Sequence, residues 1–191
     1  MEWLDVVDEN GIPTGEIVER TRAHLEGIRH RTAHVWVMRE REGGVEVLLQ
    51  KRSACKDSHP GCYDISSAGH IPAGVDFIPS ALRELKEELG IEAEAGELHC
   101  CGQRRFCWRD TFYGRPFIDN QVSNVYCLWR NIPAEKMTLQ ASEVESVRWI
   151  NLEECKRLVK QNQIKSCIFS EELDLLPIKR KTVTREAAGE D

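Results

Sequence analysis

The chain is 191 residues long, 30% charged and 41% hydrophobic, with a formal net charge of −6 and a pI near 5.6. That balance excludes a nucleic-acid polymer or an anionic membrane surface as the main partner, because both demand a basic face, and it leaves open a small anionic ligand held by a local Lys/Arg cluster. The length fits one domain with its own core, no apolar run approaches a membrane span, and Met1-Glu2-Trp3 opens no charged-then-apolar leader, so a cytoplasmic protein is expected.

In chain order, Trp3–Val7 and residues 16–19 flank Asp8-Glu9-Asn10-Gly11, where Asn-Gly supplies the positive φ angles of a tight hairpin. Arg20–Glu26 is a short polar segment carrying His24. After a break at Gly27, residues 30–38 read as a strand, which a Gly43-Gly44 turn sends back into an antiparallel neighbour over 45–49. Lys51, Arg52 and Lys56 bring three cations to the end of that strand. Pro60-Gly61 marks a turn, and residues 62–68 form a short strand that delivers the chain to Gly69.

Residues 69–91 hold the most strongly patterned helix, fed by the loop Gly69-His70-Ile71-Pro72-Ala73-Gly74. At about 100° per residue, Ile78, Leu82, Leu85 and Leu89 form an apolar stripe, with Glu84, Glu87 and Glu88 gathered on the far side. Crowded carboxylates repel one another unless cations or protons intervene, and hard divalent ions relieve that repulsion through oxygen ligands. The alternative is a solvated face with an i, i+4 pair between Arg83 and Glu87. Strand-like runs follow at 98–108, 122–129 and 144–150, with an aromatic-rich loop at 109–118 between the first two. Phe106, Trp108, Phe112, Tyr113 and Phe117 either stack on a base or pack the sheet. Asn151-Leu152-Glu153-Glu154 has capping-box spacing and opens a helix to about Gln161. The charged segment 179–191 is expected to be a disordered tail after a domain over 1–178. The eight cysteines form no C-x2-C pair and read as reduced thiols. Mostly antiparallel strands interrupted by two good helices give an α+β, layered architecture.

From Gly69 onward the residues resemble the Nudix hydrolase family, whose box reads G-x5-E-x7-R-E-U-x-E-E-x-G-U with U apolar. Gly69, Arg83, Glu84, Leu85, Glu87, Glu88, Gly90 and Ile91 match, while Val75 stands where the family has its first glutamate. Asp76 either substitutes for that glutamate after a one-residue slip or serves as the helix N-cap. The resemblance implies an α/β/α sandwich with a mixed, mostly antiparallel sheet. It also implies Glu87 and Glu88 as metal ligands with the Ala68 carbonyl, Glu84 as ligand or base, Arg83 as its orienting partner, and Mg2+ or Mn2+ as cofactor.

Within the family, the chain looks like the isopentenyl diphosphate isomerase branch, on Thr21-Arg22-Ala23-His24, His30-Arg31, residues 48–53, Pro60-Gly61 and residues 67–70. There, residues matching His24, His30 and His70 bind a metal with two later glutamates, and a cysteine before the box is catalytic. Here Asp119 and Gln121 take the glutamate positions and Ala68 the cysteine position. Alkene isomerisation is therefore expected to be lost unless Cys62 or another group replaces the shuttle. His24, His30, His70 and Asp119 remain competent for a second metal, or serve hydrogen bonding instead. Arg52 and Lys56, with Lys51 and the loop at Gly69, are the candidate diphosphate-binding groups. The expected activity is metal-dependent hydrolysis of a diphosphate linkage in a nucleoside di- or triphosphate or related organic diphosphate. The alternatives are an isomerase-like enzyme and a non-catalytic nucleotide-binding domain; a homodimer is left open.

Overall fold

A computed structural model describes residues 1–180. The elements in order are β1 Trp3–Val7, β2 Pro13–Glu19, α1 Arg20–Glu26, β3 His30–Arg41, β4 Gly44–Arg52, β5 Tyr63–Asp64, β6 Ser67–His70, α2 Phe77–Leu89, β7 His99–Phe112, β8 Arg115–Trp129, β9 Val144–Asn151, α3 Leu152–Lys160 and α4 Ser170–Leu173. β1 and β2 form a separate hairpin, and the other seven strands make one sheet along the path β5-β4-β3-β8-β7, with β6 on β3 and β9 on β4. Only β3 and β8 run parallel among these pairings.

β3 pairs with β4 only over Met38–Arg41, and its first half pairs instead with β6, Thr32 opposite His70 and Val35 opposite Ser67. β4 therefore diverges from β3, and the gap opens into a cleft. Alternation along β3 sends Trp36 and Met38 into the core beneath α3 and α4, while Ala33, Val35 and Val37 join Leu85 and Leu89 of α2 on the other face. The expected mixed α+β sandwich with an N-terminal hairpin is what forms.

Several local expectations change. In the β1–β2 turn only Gly11 takes a positive φ, because the Asp8 carboxylate accepts from the amides of Asn10 and Ile12 and builds the bend. Residues 20–26 are a helix, capped by the Glu19 carboxylate on the Thr21 and Arg22 amides. The strand expected at 62–68 splits into β5 and β6. The presumed loop at 109–118 is strand on both sides of a Tyr113-Gly114 turn, both residues at positive φ. The buried face of α2 is Ser80, Ala81, Leu85, Glu88 and Leu89, with Ile78 and Leu82 only half-buried, so the inward face is rotated relative to the apolar stripe and takes Glu88 inside. Asn151 caps α3 through the amides of Glu153 and Glu154. From residue 181 on, the expected tail lies outside the described residues.

Candidate active site

α2, β6 and the diverging edges of β3 and β4 enclose a cleft of about 310 Å³, which Glu84, Glu87, Glu88, Ala68, Gly69, Arg52 and Lys56 all line. Gly69 is required for space rather than for backbone angle, since a Cβ there would stand 2.3 Å from Glu84 Cδ. Glu84 Oε1 accepts from Arg83 Nη2 at 2.6 Å, so Arg83 pairs with its neighbour and not with Glu87. Burial raises the Glu84 carboxyl above its ordinary range, with Glu87 and Glu2 adding to it against the pull of Arg83. Burial drives Glu88 up to about 8, with Glu84 and Asp64 also raising it while Ser67 and Lys56 oppose. Its Oε2 is buried without a hydrogen-bond partner. A buried carboxylate oxygen with no donor, beside a second raised acid, fits a divalent cation.

His24 from α1, His30 from β3 and His70 from β6 bring ring nitrogens within 4.8 Å of one another. His30 Nδ1 donates to the Ile28 carbonyl at 2.9 Å, which leaves Nε2 facing inward. His24 Nδ1 and His30 Nε2 are buried without partners. Burial brings His24 down to about 3 and His30 to about 4, and carries His70 well below its ordinary value, so all three are neutral imidazoles. Asp119 Oδ1 lies 3.7 Å from His24 Nδ1 and 3.9 Å from His30 Nε2. Burial pushes the Asp119 carboxyl up to about 6, although Gln121 donates to it. His24 Nε2 and His70 Nε2 share a hydrogen bond at 3.0 Å, and neutral imidazoles so gathered beside a carboxylate are a competent ligand set.

The cations are placed unevenly. Arg52 donates to Asp64 at 2.9 Å and to the Ser58 carbonyl, and Lys56 pairs with Glu143. Lys51 is a correction: strand alternation turns it away from the cleft lining, where its ammonium pairs with Glu145 at 2.6 Å. Cys62 is buried outside that lining, so it does not replace the missing cysteine. Val75 is half-buried against the core cluster that holds the α2 leucines, and its carbonyl accepts from Arg31 at 2.9 Å. Asp76 occupies the N-cap position without a side-chain cap bond and stays exposed, so it does not stand in for the box glutamate in the cleft.

Reading by motif missed Arg20, His34, Arg104 and Glu172, which also line the cleft. Arg20 stands four residues before His24, a helical spacing that places both on one face of α1. Nothing local in the sequence points to Glu172. Phe106, Trp108 and Phe117 face the cleft, while Tyr113 is exposed at the hairpin tip, its hydroxyl on the Lys56 carbonyl.

The chain is similar to known proteins over most of its length. The NUDIX domain family model matches residues 28–169. The chain is 38% identical over 165 residues to Nudix hydrolase 3 of Arabidopsis thaliana, an alignment that spans 84% of this chain but only 20% of that protein. It is 35% identical over 158 residues to an uncharacterised Nudix hydrolase of Clostridium acetobutylicum, covering 83% of this chain and 74% of the relative. The crystal structure of DR0079 from Deinococcus radiodurans shares the fold at a TM-score of 0.69 with 17% identity, covering 91% of this chain and 98% of that one. No helix among the described residues is long and apolar enough to cross a membrane.

Proposed function

This chain belongs to the Nudix hydrolase family, and from that premise we propose that it hydrolyses the diphosphate linkage of a nucleoside di- or triphosphate or related organic diphosphate with Mg2+ or Mn2+. The observation that carries the reading is the orphaned, buried carboxylate of Glu88 beside Glu84, facing a cleft that Arg52, Lys56 and Arg20 also line. In this reading Glu87, Glu88 and the Ala68 carbonyl would hold a divalent ion, with Glu84 either a further ligand or the base, and His24, His30, His70 and Asp119 would hold a second. Bound there, such an ion neutralises phosphate charge and acidifies water.

The chain's own groups do the rest. Arg52, Lys56 and Arg20 bind the diphosphate, with the backbone at Gly69 close to it. Arg83 fixes Oε1 of Glu84 and leaves Oε2 to take the proton of the attacking water. The domain is read as residues 1–178, supported by the packing of β1 against Pro72 and Ala73. A cytoplasmic setting goes with this reading on the cysteine content.

The test is turnover of a panel of nucleotides, nucleotide sugars and prenyl diphosphates by purified protein with Mg2+ or Mn2+. Cleavage at the diphosphate linkage, read as the two phosphate-bearing products, that Glu87→Gln or Glu88→Gln abolishes is the expected result. No cleavage of any member would overturn the enzyme reading, and tight nucleotide binding without turnover would establish the non-catalytic one. The His24–His30–His70 cluster favours a second reading, kinship with the isopentenyl diphosphate isomerase branch. Ala68 and Gln121 carry no titratable proton, so solvent deuterium is expected not to enter isopentenyl diphosphate.

A further inference from the structure

The far wall of the cleft holds a charged assembly that the hydrolytic reading does not use. Glu172 of α4 is 2% exposed, yet its carboxylate accepts from His34 Nδ1 at 3.0 Å and Trp36 Nε1 at 2.9 Å, and from Arg104. His34 Nε2 in turn lies 3.3 Å from the Thr32 hydroxyl, which donates to Gln121. Three donors from two strands thus fix one carboxylate, and that carboxylate fixes Arg104. The Arg104 guanidinium rests over a pair of rings, 4.9 Å from the centroid of Phe106 and 5.0 Å from that of Phe169. Its Nη1 is engaged by Glu172, whereas Nε and Nη2 make no hydrogen bond among the described residues and are not sealed from solvent.

A guanidinium held on one edge and open on the other presents a planar set of donors that needs acceptors. Water supplies them in the free protein. A hydrocarbon laid over this wall would strip that water and return nothing, leaving charged donors desolvated. A nucleobase returns carbonyl and ring-nitrogen acceptors in one plane, and it stacks on neighbouring aromatic faces. Strand alternation on β7 supplies such a face, since Arg104, Phe106 and Trp108 all turn into the cleft while Arg105 and Cys107 turn out.

We propose that Arg104, locked by Glu172 and His34, is the specificity-determining residue of this cleft and reads the base of a nucleoside diphosphate, so that prenyl diphosphates are excluded. The proposal rests on the diphosphate-site reading above and adds the organic half of the substrate.

The test is calorimetric binding in Mg2+, which needs no turnover, with methylenediphosphonate, the α,β-methylene diphosphates of the four common ribonucleosides, and the methylene analogue of geranyl diphosphate. At least one nucleoside analogue is expected to bind about ten- to a hundredfold tighter than methylenediphosphonate, the gain of a hydrogen bond to a charged group, and the geranyl analogue to show no such gain. Arg104→Met keeps the stem over the rings and should erase the gain, so that the nucleoside analogue binds the variant no tighter than methylenediphosphonate does. Arg104→Lys, which keeps the charge without the planar fork, should restore only a fraction. If methylenediphosphonate binds but no nucleoside binds tighter, or if Arg104→Met leaves the gain intact, this inference falls alone. If methylenediphosphonate itself does not bind, the diphosphate site falls and this inference with it. Should both variants unfold, the wild-type ranking decides, and geranyl above every nucleoside overturns the proposal.

Discussion

Glu88 and Glu172 stand on opposite walls of one cleft, 4% and 2% exposed, and their carboxyls move in opposite directions. Burial drives Glu88 up to about 8, and no cation in direct contact opposes it. Burial acts on Glu172 in the same sense, but His34, Arg104 and Trp36 outweigh it and hold that carboxyl down to about 2. Partnership and not depth therefore separates a wall made to receive charge from a wall already complete. In the proposed reading the first is a place for a cation, the second a fixed platform.

The largest effect that would break this contrast is on catalysis. Glu88→Gln is expected to lower kcat by about a thousandfold, the scale of losing a principal catalytic electrostatic group, while the melting temperature without metal changes little. Divalent metal should raise the melting temperature of the wild type, by about 2.7 kcal/mol of stability at a hundred times its dissociation constant, and raise that of the variant less. Equal metal stabilisation of both proteins would remove Glu88 from the site.

Glu172→Gln should do the reverse to stability. It leaves the buried His34 and Arg104 facing one another and is expected to cost about 3–5 kcal/mol in urea unfolding. A loss below about 1 kcal/mol would show the pair to be screened, contrary to its burial.

The pH dependence sharpens the same point. Glu172 titrates lower folded than unfolded, so its contribution is present above the ordinary value of 4.5 and is lost as pH falls toward about 2. Burial lowers His34, but Glu172 outweighs it and raises the imidazole above its ordinary 6.5. That contribution is complete below 6.5 and lost as pH rises through the raised value. Stability from this pair should therefore peak between those limits, and urea titrations of Glu172→Gln should lack both flanks.

The smallest effect belongs to Lys51. Its pair with Glu145 is a partly exposed one, so Lys51→Ala should cost about 0–1 kcal/mol and leave KM unchanged, whereas Lys56→Ala should raise KM. A matching rise for both lysines would return Lys51 to the site.

The acid wall was legible because its residues are neighbours in sequence. Arg83, Glu84, Glu87 and Glu88 lie within two turns of one helix, so spacing alone brings them together, and the glycine before them records how closely Glu84 must approach. The histidine cluster was reached only through family resemblance, since His24, His30 and His70 come from three elements. The direction of the helix face was not legible: Glu88 reads as solvent-facing by polarity, yet the packing of α2 on β6 takes it inside.

By itself, the sequence determined the N-terminal hairpin, most of the longer strands, α2 and α3, the box on α2 and the departure at Val75, because helical and strand periodicity, turns and caps are set by residues a few positions apart. Tertiary structure alone decided that Val75 packs half-buried against the core, that Lys51 turns away, and that His34 meets Glu172 across 138 positions. Those outcomes depend on which strands pair and which faces bury, and a contact between distant residues leaves no period in the chain to read.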